Sequence, residues 1–184
     1  GDFAIYACDL DLYSFTMPKE KRPLAASYIK GQILDKESKK PLNARLQIKN
    51  LKNTKLAHES LSDKTTGEFL ICLTQGEEYA FSISCEGYLF YSENISTDRE
   101  NQEKQILLTP INTGESIVLK NIFFETNSHA LLPTSYAELQ TLIELLQNNP
   151  SLKLLIEGHT DNVGKAEHNQ TLSQQRAEAI VSYL

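Results

Sequence analysis

No stretch of this sequence approaches the roughly 18 consecutive apolar residues that a membrane-spanning helix requires. Positive charge is also short: 18 Lys and Arg stand against 24 Asp and Glu, a formal net charge of −6. The basic residues are scattered. The two local runs, near Lys19–Arg22 and Lys36–Lys40, read as solvated loops, which argues against a nucleic-acid partner. Cysteine is scarce. Cys8, Cys72 and Cys85 are odd in number and cannot complete a disulfide framework. Cys72 and Cys85 lie in apolar, strand-like text, "FLICL" and "FSISC", and are expected as buried free thiols. Spacing alone leaves a bridge open. No signal peptide opens the chain, but "GDFAIYACDLDLYSF" reads as the middle of a longer protein, so nothing follows from that.

What is present fits a globular protein: 40% hydrophobic and 23% charged residues. Residues 1–25 are expected to hold one or two strands of a preceding domain. They end in a linker, "TMPKEKRP", with Pro18 and Pro23 among charges. Residues 26–110 alternate apolar and polar positions in short runs, with turn signals such as "DKESKKPL", "DKTTG" and "TQGEE" about every ten residues. That spacing predicts a small antiparallel β-sandwich. Nothing here has helical periodicity. The aromatic cluster Tyr88, Phe90 and Tyr91 is expected in its core.

The pattern changes over 111–184. "SIVLKNIFF" predicts a strand. "TSYAELQTLIELLQNNP" predicts a helix with Ser135 and Glu138 as a capping box and Leu139, Leu142, Ile143 and Leu146 as its apolar stripe. "SLKLLIEGH" predicts a second, central strand, and "NQTLSQQRAEAIVSYL" a final helix. The order is βαβα, with parallel strands across a right-handed crossover. The fold class expected is therefore mixed, a β-sandwich followed by an α/β domain whose further strands are expected beyond Leu184.

One residue in the last helix is out of place. Arg176 shares the apolar stripe of Leu172, Ala179, Ile180 and Tyr183. A guanidinium on a buried face needs an anionic partner or an open pocket. Ligands of parallel α/β units collect at the carboxyl ends of strands. Both "FFETN" and "GHTDNVG" lie at such ends. The pocket inferred is walled by Glu125, Asn127, Thr160, Asp161, Asn169 and Arg176. It offers a carboxylate for an ammonium and a guanidinium for a carboxylate, the two ends of a free amino acid. The plain alternative is an internal Asp161–Arg176 ion pair that ties loop to helix. His159 and His168 bracket Asp161, which raises and does not establish a zinc reading.

"NIFFETNSHALLP", "IEGHTDNVG" and "NQTLSQQRAEAIVSYL" together resemble the OmpA-like peptidoglycan-binding domain. The resemblance implies a non-catalytic module that holds meso-diaminopimelate of the cell-wall peptide stem. Asp161 would take its ammonium and Arg176 its carboxylate, with Asn169, Thr160, Glu125, Asn127 and Leu172 completing the site. Where the family often has aspartate, this chain has Glu125. No cofactor or metal is implied. The location implied is the Gram-negative periplasm beside the outer membrane, with any membrane contact through a lipid anchor or domain outside this chain. Residues 26–110 resemble the carboxypeptidase-regulatory-like, transthyretin-like sandwich through "YIKGQILDKESKKPLNARLQI", "TGEFLICL" and "GYLFYSENIS". The opening "DLYSFTMP" resembles the end of a β-propeller. The combined order resembles PorE-like outer-membrane lipoproteins of the type IX secretion apparatus, which implies other envelope or secretion proteins as partners. The competing reading is an assembly module in which the Asp161–Arg176 pair is only structural.

Overall fold

The computed structural model describes residues 3–8, 11–18, 25–98, 101–159 and 166–184. Strands β1 (Phe3–Cys8) and β2 (Asp11–Thr16) pair with each other as an antiparallel hairpin. Then come β3 (Ala26–Asp35), β4 (Arg45–Asn50), β5 (Leu56–Leu61), β6 (Glu68–Thr74), β7 (Glu78–Ser84), β8 (Tyr91–Ser96) and β9 (Asn101–Leu108). They form a three-stranded sheet in the order β6-β3-β9 and a four-stranded sheet in the order β5-β4-β7-β8.

The inward positions follow from the two-residue period of a strand. In β6, Phe69, Ile71 and Leu73 turn in while Leu70 stays 63% exposed. They meet Ile29, Ile33, Ile106 and Leu108 of the same sheet and Leu46, Ile48, Phe81, Ile83 and Ile95 of the other in a single core. The Phe69 and Phe81 rings touch across the two sheets with centroids 6.0 Å apart. The pairs are antiparallel except β3 with β9, which run parallel from Tyr28 opposite Asn101 to Asp35 opposite Leu108. The last strand closes the sheet beside the first, along the edge that β6 leaves open. The expectation of two buried thiols is corrected by the same period. With Ile71 facing in, Cys72 faces out and is exposed, and only Cys85 is partly covered, where burial pushes its thiol up from the ordinary value.

The turns follow their side chains. Asp63 Oδ1 accepts the backbone N–H groups of Thr65 and Thr66, both at 2.8 Å, which holds its carboxyl below the usual range. Gly67 then takes φ +73°, the left-handed conformation that closes this turn. Asp35 is held at about 2 by the backbone N–H of Ser38 and by the Tyr88 hydroxyl, which donates to it at 2.7 Å.

The segment after the sandwich stays against it. The N–H of Leu89 bonds the Thr109 carbonyl at 2.9 Å, and that of Ile111 bonds the Gly87 carbonyl at 3.0 Å. A second core joins Leu89 and Phe90 to Leu142 and Leu145 of helix α1 (Tyr136–Asn148), with Ile111, Ile117, Leu119 and Leu152 packed around it. Phe90 thus belongs to this second core, and Tyr88 and Tyr91 lean on the first. Residues 117–121 keep the alternation of a strand, with Ile117, Leu119 and Asn121 turned in. Neither this stretch nor 152–159 has a hydrogen-bonded ladder partner among the described residues, so the two expected parallel strands are not formed there. Leu155 is 83% exposed, not the interior residue a central strand would make it.

The expected capping box is also absent. A capping side chain needs extended backbone at the cap. Ser135 instead has φ −72° and ψ −25°, because the 3-10 turn Pro133–Ser135 runs straight into α1. Its hydroxyl accepts from the Phe123 N–H at 2.7 Å and donates to the Phe123 carbonyl at 2.9 Å. Glu138 lies 1% exposed on the face that meets the sandwich. Its Oε2 accepts from the Ser92 hydroxyl of β8 and from the Asn121 N–H at 3.1 Å. Asn121 Nδ2 donates to Ser92 Oγ at 2.7 Å. Glu138 Oε1 and Asn121 Oδ1 have no donor among the described residues. Burial outweighs the hydrogen bonds and raises the carboxyl's pKa above its ordinary 4.5.

Helix α2 (Ala166–Tyr183) packs against Gly158. No helix among the described residues is long and apolar enough to cross a membrane. A Cβ on Gly158 would overlap the Ser173 carbonyl oxygen and come within 3.5 Å of the Ala177 nitrogen. The glycine is there for closeness, not for an unusual φ.

Two outcomes follow from this packing. Gly158→Ala should destabilise the protein by about 1–3 kcal/mol, the usual cost of forcing an extra methyl group into a packed site. Denaturant titration measures it, and an unchanged midpoint would contradict the close approach. Glu138 gives a pH signature. Its proton is held more tightly folded than unfolded, so stability falls as pH rises from the ordinary 4.5 through the raised folded value. Relative to the wild type, Glu138→Gln should therefore gain stability between pH 4 and pH 7. A wild-type-to-variant difference that stays constant over that range would show that Glu138 titrates normally.

Candidate functional site

The residues of "FFETNSHALL" fold into a tight hairpin over 123–132. Phe124 and Leu131 bridge antiparallel. Leu132 N–H bonds the Phe123 carbonyl at 2.9 Å, Glu125 N–H the Ala130 carbonyl at 3.0 Å, and Ser128 N–H the Glu125 carbonyl at 3.1 Å. At the tip Asn127 has φ +51°, a left-handed conformation that asparagine tolerates better than most residues. Ser128 Oγ accepts from the Ala130 N–H at 3.0 Å and stiffens the return.

Helix α2 carries the stripe Asn169, Leu172, Arg176 and Ile180, spaced three or four residues apart, and Arg176 reaches this hairpin. Leu172 and Ile180 are each 7% exposed, while Asn169 and Arg176 are half-buried. Tyr183, one turn beyond Ile180, is 40% exposed and stacks on Tyr136 of α1 with centroids 5.2 Å apart and planes 6° from parallel.

Arg176 does not sit in its apolar stripe unpartnered. Its Nε donates to the Ser128 carbonyl at 3.0 Å, and its guanidinium carbon lies 4.9 Å from the centre of the Phe124 ring. A hydrogen bond from a charged donor contributes about 1.5–3 kcal/mol. A cation over an aromatic face adds about 0.5–2 kcal/mol. Together they suffice for a half-buried guanidinium. Among the described residues no carboxylate lies within ion-pair distance of it.

The structure brings together Arg176, Leu172 and Asn169 on one helix face and sets the 123–132 hairpin against it. Glu125 and Asn127 are exposed on that hairpin. Thr160 and Asp161 lie outside the described residues. His159 and His168 are exposed, and among the described residues no group of three His, Cys, Asp or Glu is placed to hold a metal ion. Sequence reading overlooked Phe124 and Ser128. The signal was present: apolar pairs, Phe123-Phe124 and Leu131-Leu132, flank a polar turn, which is the pattern of a hairpin.

The Peptidoglycan-associated lipoprotein of Buchnera aphidicola subsp. Baizongia pistaciae is 35% identical over 113 residues, covering 56% of this chain and 65% of that protein. Outer membrane porin F of Pseudomonas aeruginosa is 35% identical over 60 residues, 33% of this chain and 17% of its own length. Outer membrane protein A of Buchnera aphidicola subsp. Schizaphis graminum is 38% identical over 66 residues, 35% of this chain and 19% of its own. The chain spans less than two thirds of each. Among solved structures, catechol 1,2-dioxygenase from Acinetobacter sp. ADP1 aligns with a TM-score of 0.41 and 12% identity, over 55% of this chain and 58% of that one. A likeness that low carries no argument about activity. Residues 123–184 match the OmpA family, so this part of the chain is an OmpA-family domain.

Proposed function

We propose that the chain is a non-catalytic cell-wall binding unit that anchors an envelope assembly to peptidoglycan through the diaminopimelate of the peptide stem. The observation that carries the reading is the setting of Arg176. It is half-buried in the inward stripe of α2, held by the Ser128 carbonyl and Phe124, and not paired with a carboxylate among the described residues. Such a guanidinium is prepared for the carboxylate of an incoming ligand. Asp161 takes the ammonium of the same amino-acid end, and Thr160, Asn169, Glu125, Asn127 and Leu172 complete the pocket. The relative named as a peptidoglycan-associated lipoprotein supports the class of ligand.

The wider arrangement belongs to the same proposal. The division is 1–25 as the tail of a preceding domain, 26–110 as a rigid spacer or docking sandwich, and 111–184 as the binding domain. The chain works in the periplasm beside the outer membrane, in keeping with relatives named as outer-membrane proteins and lipoproteins. Its sequence resemblance to type IX secretion lipoproteins makes that apparatus the assembly it would anchor.

An open pocket that relies on two charged groups binds weakly, in roughly the millimolar to micromolar range, or about −4 to −8 kcal/mol. Firm attachment then comes from many sites on one polymer. Arg176→Ala and Asp161→Ala should each abolish pull-down with purified sacculi, since removing one partner of a desolvated charge pair costs about 2–5 kcal/mol. Arg176→Lys should be impaired as well, because an ammonium cannot make the two-pronged contact. A diaminopimelate peptide should raise the melting temperature of the wild type and not of the alanine variants. Folded alanine variants that still sediment with sacculi would overturn the assignment.

A further inference from the structure

A guanidinium offers a carboxylate two paired edges: side-on, through Nε and one Nη, and end-on, through both Nη atoms. In this protein the side-on edge is taken, because Nε donates to the Ser128 carbonyl at 3.0 Å. The Phe124 ring, 4.9 Å from the guanidinium carbon, covers the group as well. We propose that the 123–132 hairpin is a holder for Arg176, with Phe124 and the backbone of Asn127-Ser128 as positioning elements that leave the end-on Nη edge to receive a ligand carboxylate. This rests on the peptidoglycan reading above and goes beyond it. It assigns roles to residues that need not touch the ligand and sets the direction from which the carboxylate arrives.

The hairpin suits that task. Its three cross-bonds and the Ser135 hydroxyl, which binds both the N–H and the carbonyl of Phe123, tie it to the start of α1. The Ser128 carbonyl points at α2 only while residue 127 keeps its left-handed backbone, φ +51°. Asn127 is thus a turn residue first, whatever it offers to a ligand. A flexible arginine on an exposed helix would lose side-chain freedom on binding. One already fixed at Nε and over a ring has lost much of it beforehand, and pre-organisation of this kind raises affinity without a new contact.

The test uses the full 184-residue chain and a soluble tripeptide ending in meso-diaminopimelate. Phe124→Leu, which removes the ring, should weaken binding about tenfold in calorimetry. Phe124→Tyr, which keeps the ring, should restore it. Asn127→Val, which disfavours the left-handed backbone, should weaken binding, whereas Asn127→Gly should weaken it less. The Arg176 Nε–H resonance, assigned by its loss in Arg176→Lys, reads the holder directly. It should be protected from solvent exchange in the wild type before ligand is added and lose that protection in Asn127→Val and Phe124→Leu. Should Asn127→Val fail to fold, the Phe124 pair and the resonance decide alone. If Phe124→Leu binds as tightly as the wild type while Arg176→Ala does not bind, the holder is wrong and the site stands. An Nε–H that exchanges freely in the unliganded wild type would overturn the holder as well. If Arg176→Ala itself binds, the site reading is wrong and the holder goes with it.

Discussion

A charge cannot be drawn into a protein without something to replace its water, and this constraint organises the carboxyl-terminal third of the chain. Arg176 falls on the inward stripe of α2, so the structure must supply a carbonyl and a ring for it. The 123–132 hairpin supplies both. The hairpin in turn is held by Ser135, which is why the residue before α1 caps a neighbouring strand-like segment and not its own helix. Gly158 then admits the backbone of α2 close to its own. Each of these local choices follows once a guanidinium sits where a leucine would normally be.

The same constraint recurs with opposite sign at the junction with the sandwich. Glu138 is buried at α1, and the hydroxyl of Ser92 and the N–H of Asn121 replace part of its water. These partners come from β8 and from the segment entering the OmpA-family region. One carboxylate thus ties three parts of the chain together, beside a core to which Leu89 and Phe90 of the sandwich and Leu142 and Leu145 of the helix all contribute. The sandwich and the following segment share an interior.

Much of this was legible in the residues. The alternation in "EFLICL" and "YAFSIS" specified which side chains meet in the sandwich core, because a strand has no choice about its period. The turn at Asp63–Gly67 was equally plain, since an aspartate followed by threonines and a glycine has few other conformations to adopt. Helix α1 and its stop at Asn149 before Pro150 were readable for the same local reason. The apolar neighbours of Cys72 suggest burial, but the strand period turns it outward. At Glu138 a capping-box spacing describes only a local possibility, and burial against β8 outcompetes it.

What the sequence determined by itself was therefore what depends on neighbours along the chain: the strand period, the turns, the stop of α1, and the anomaly of an arginine in an apolar stripe. Tertiary structure alone decided what meets across long separations. That β9 lies parallel to β3, that Ser92 reaches Glu138 across 46 positions, and that Arg176 spends its Nε on a carbonyl 48 positions away are all such meetings. No local propensity encodes them. They arise because every buried polar group must find a partner, and the nearest partner in space is seldom the nearest in sequence.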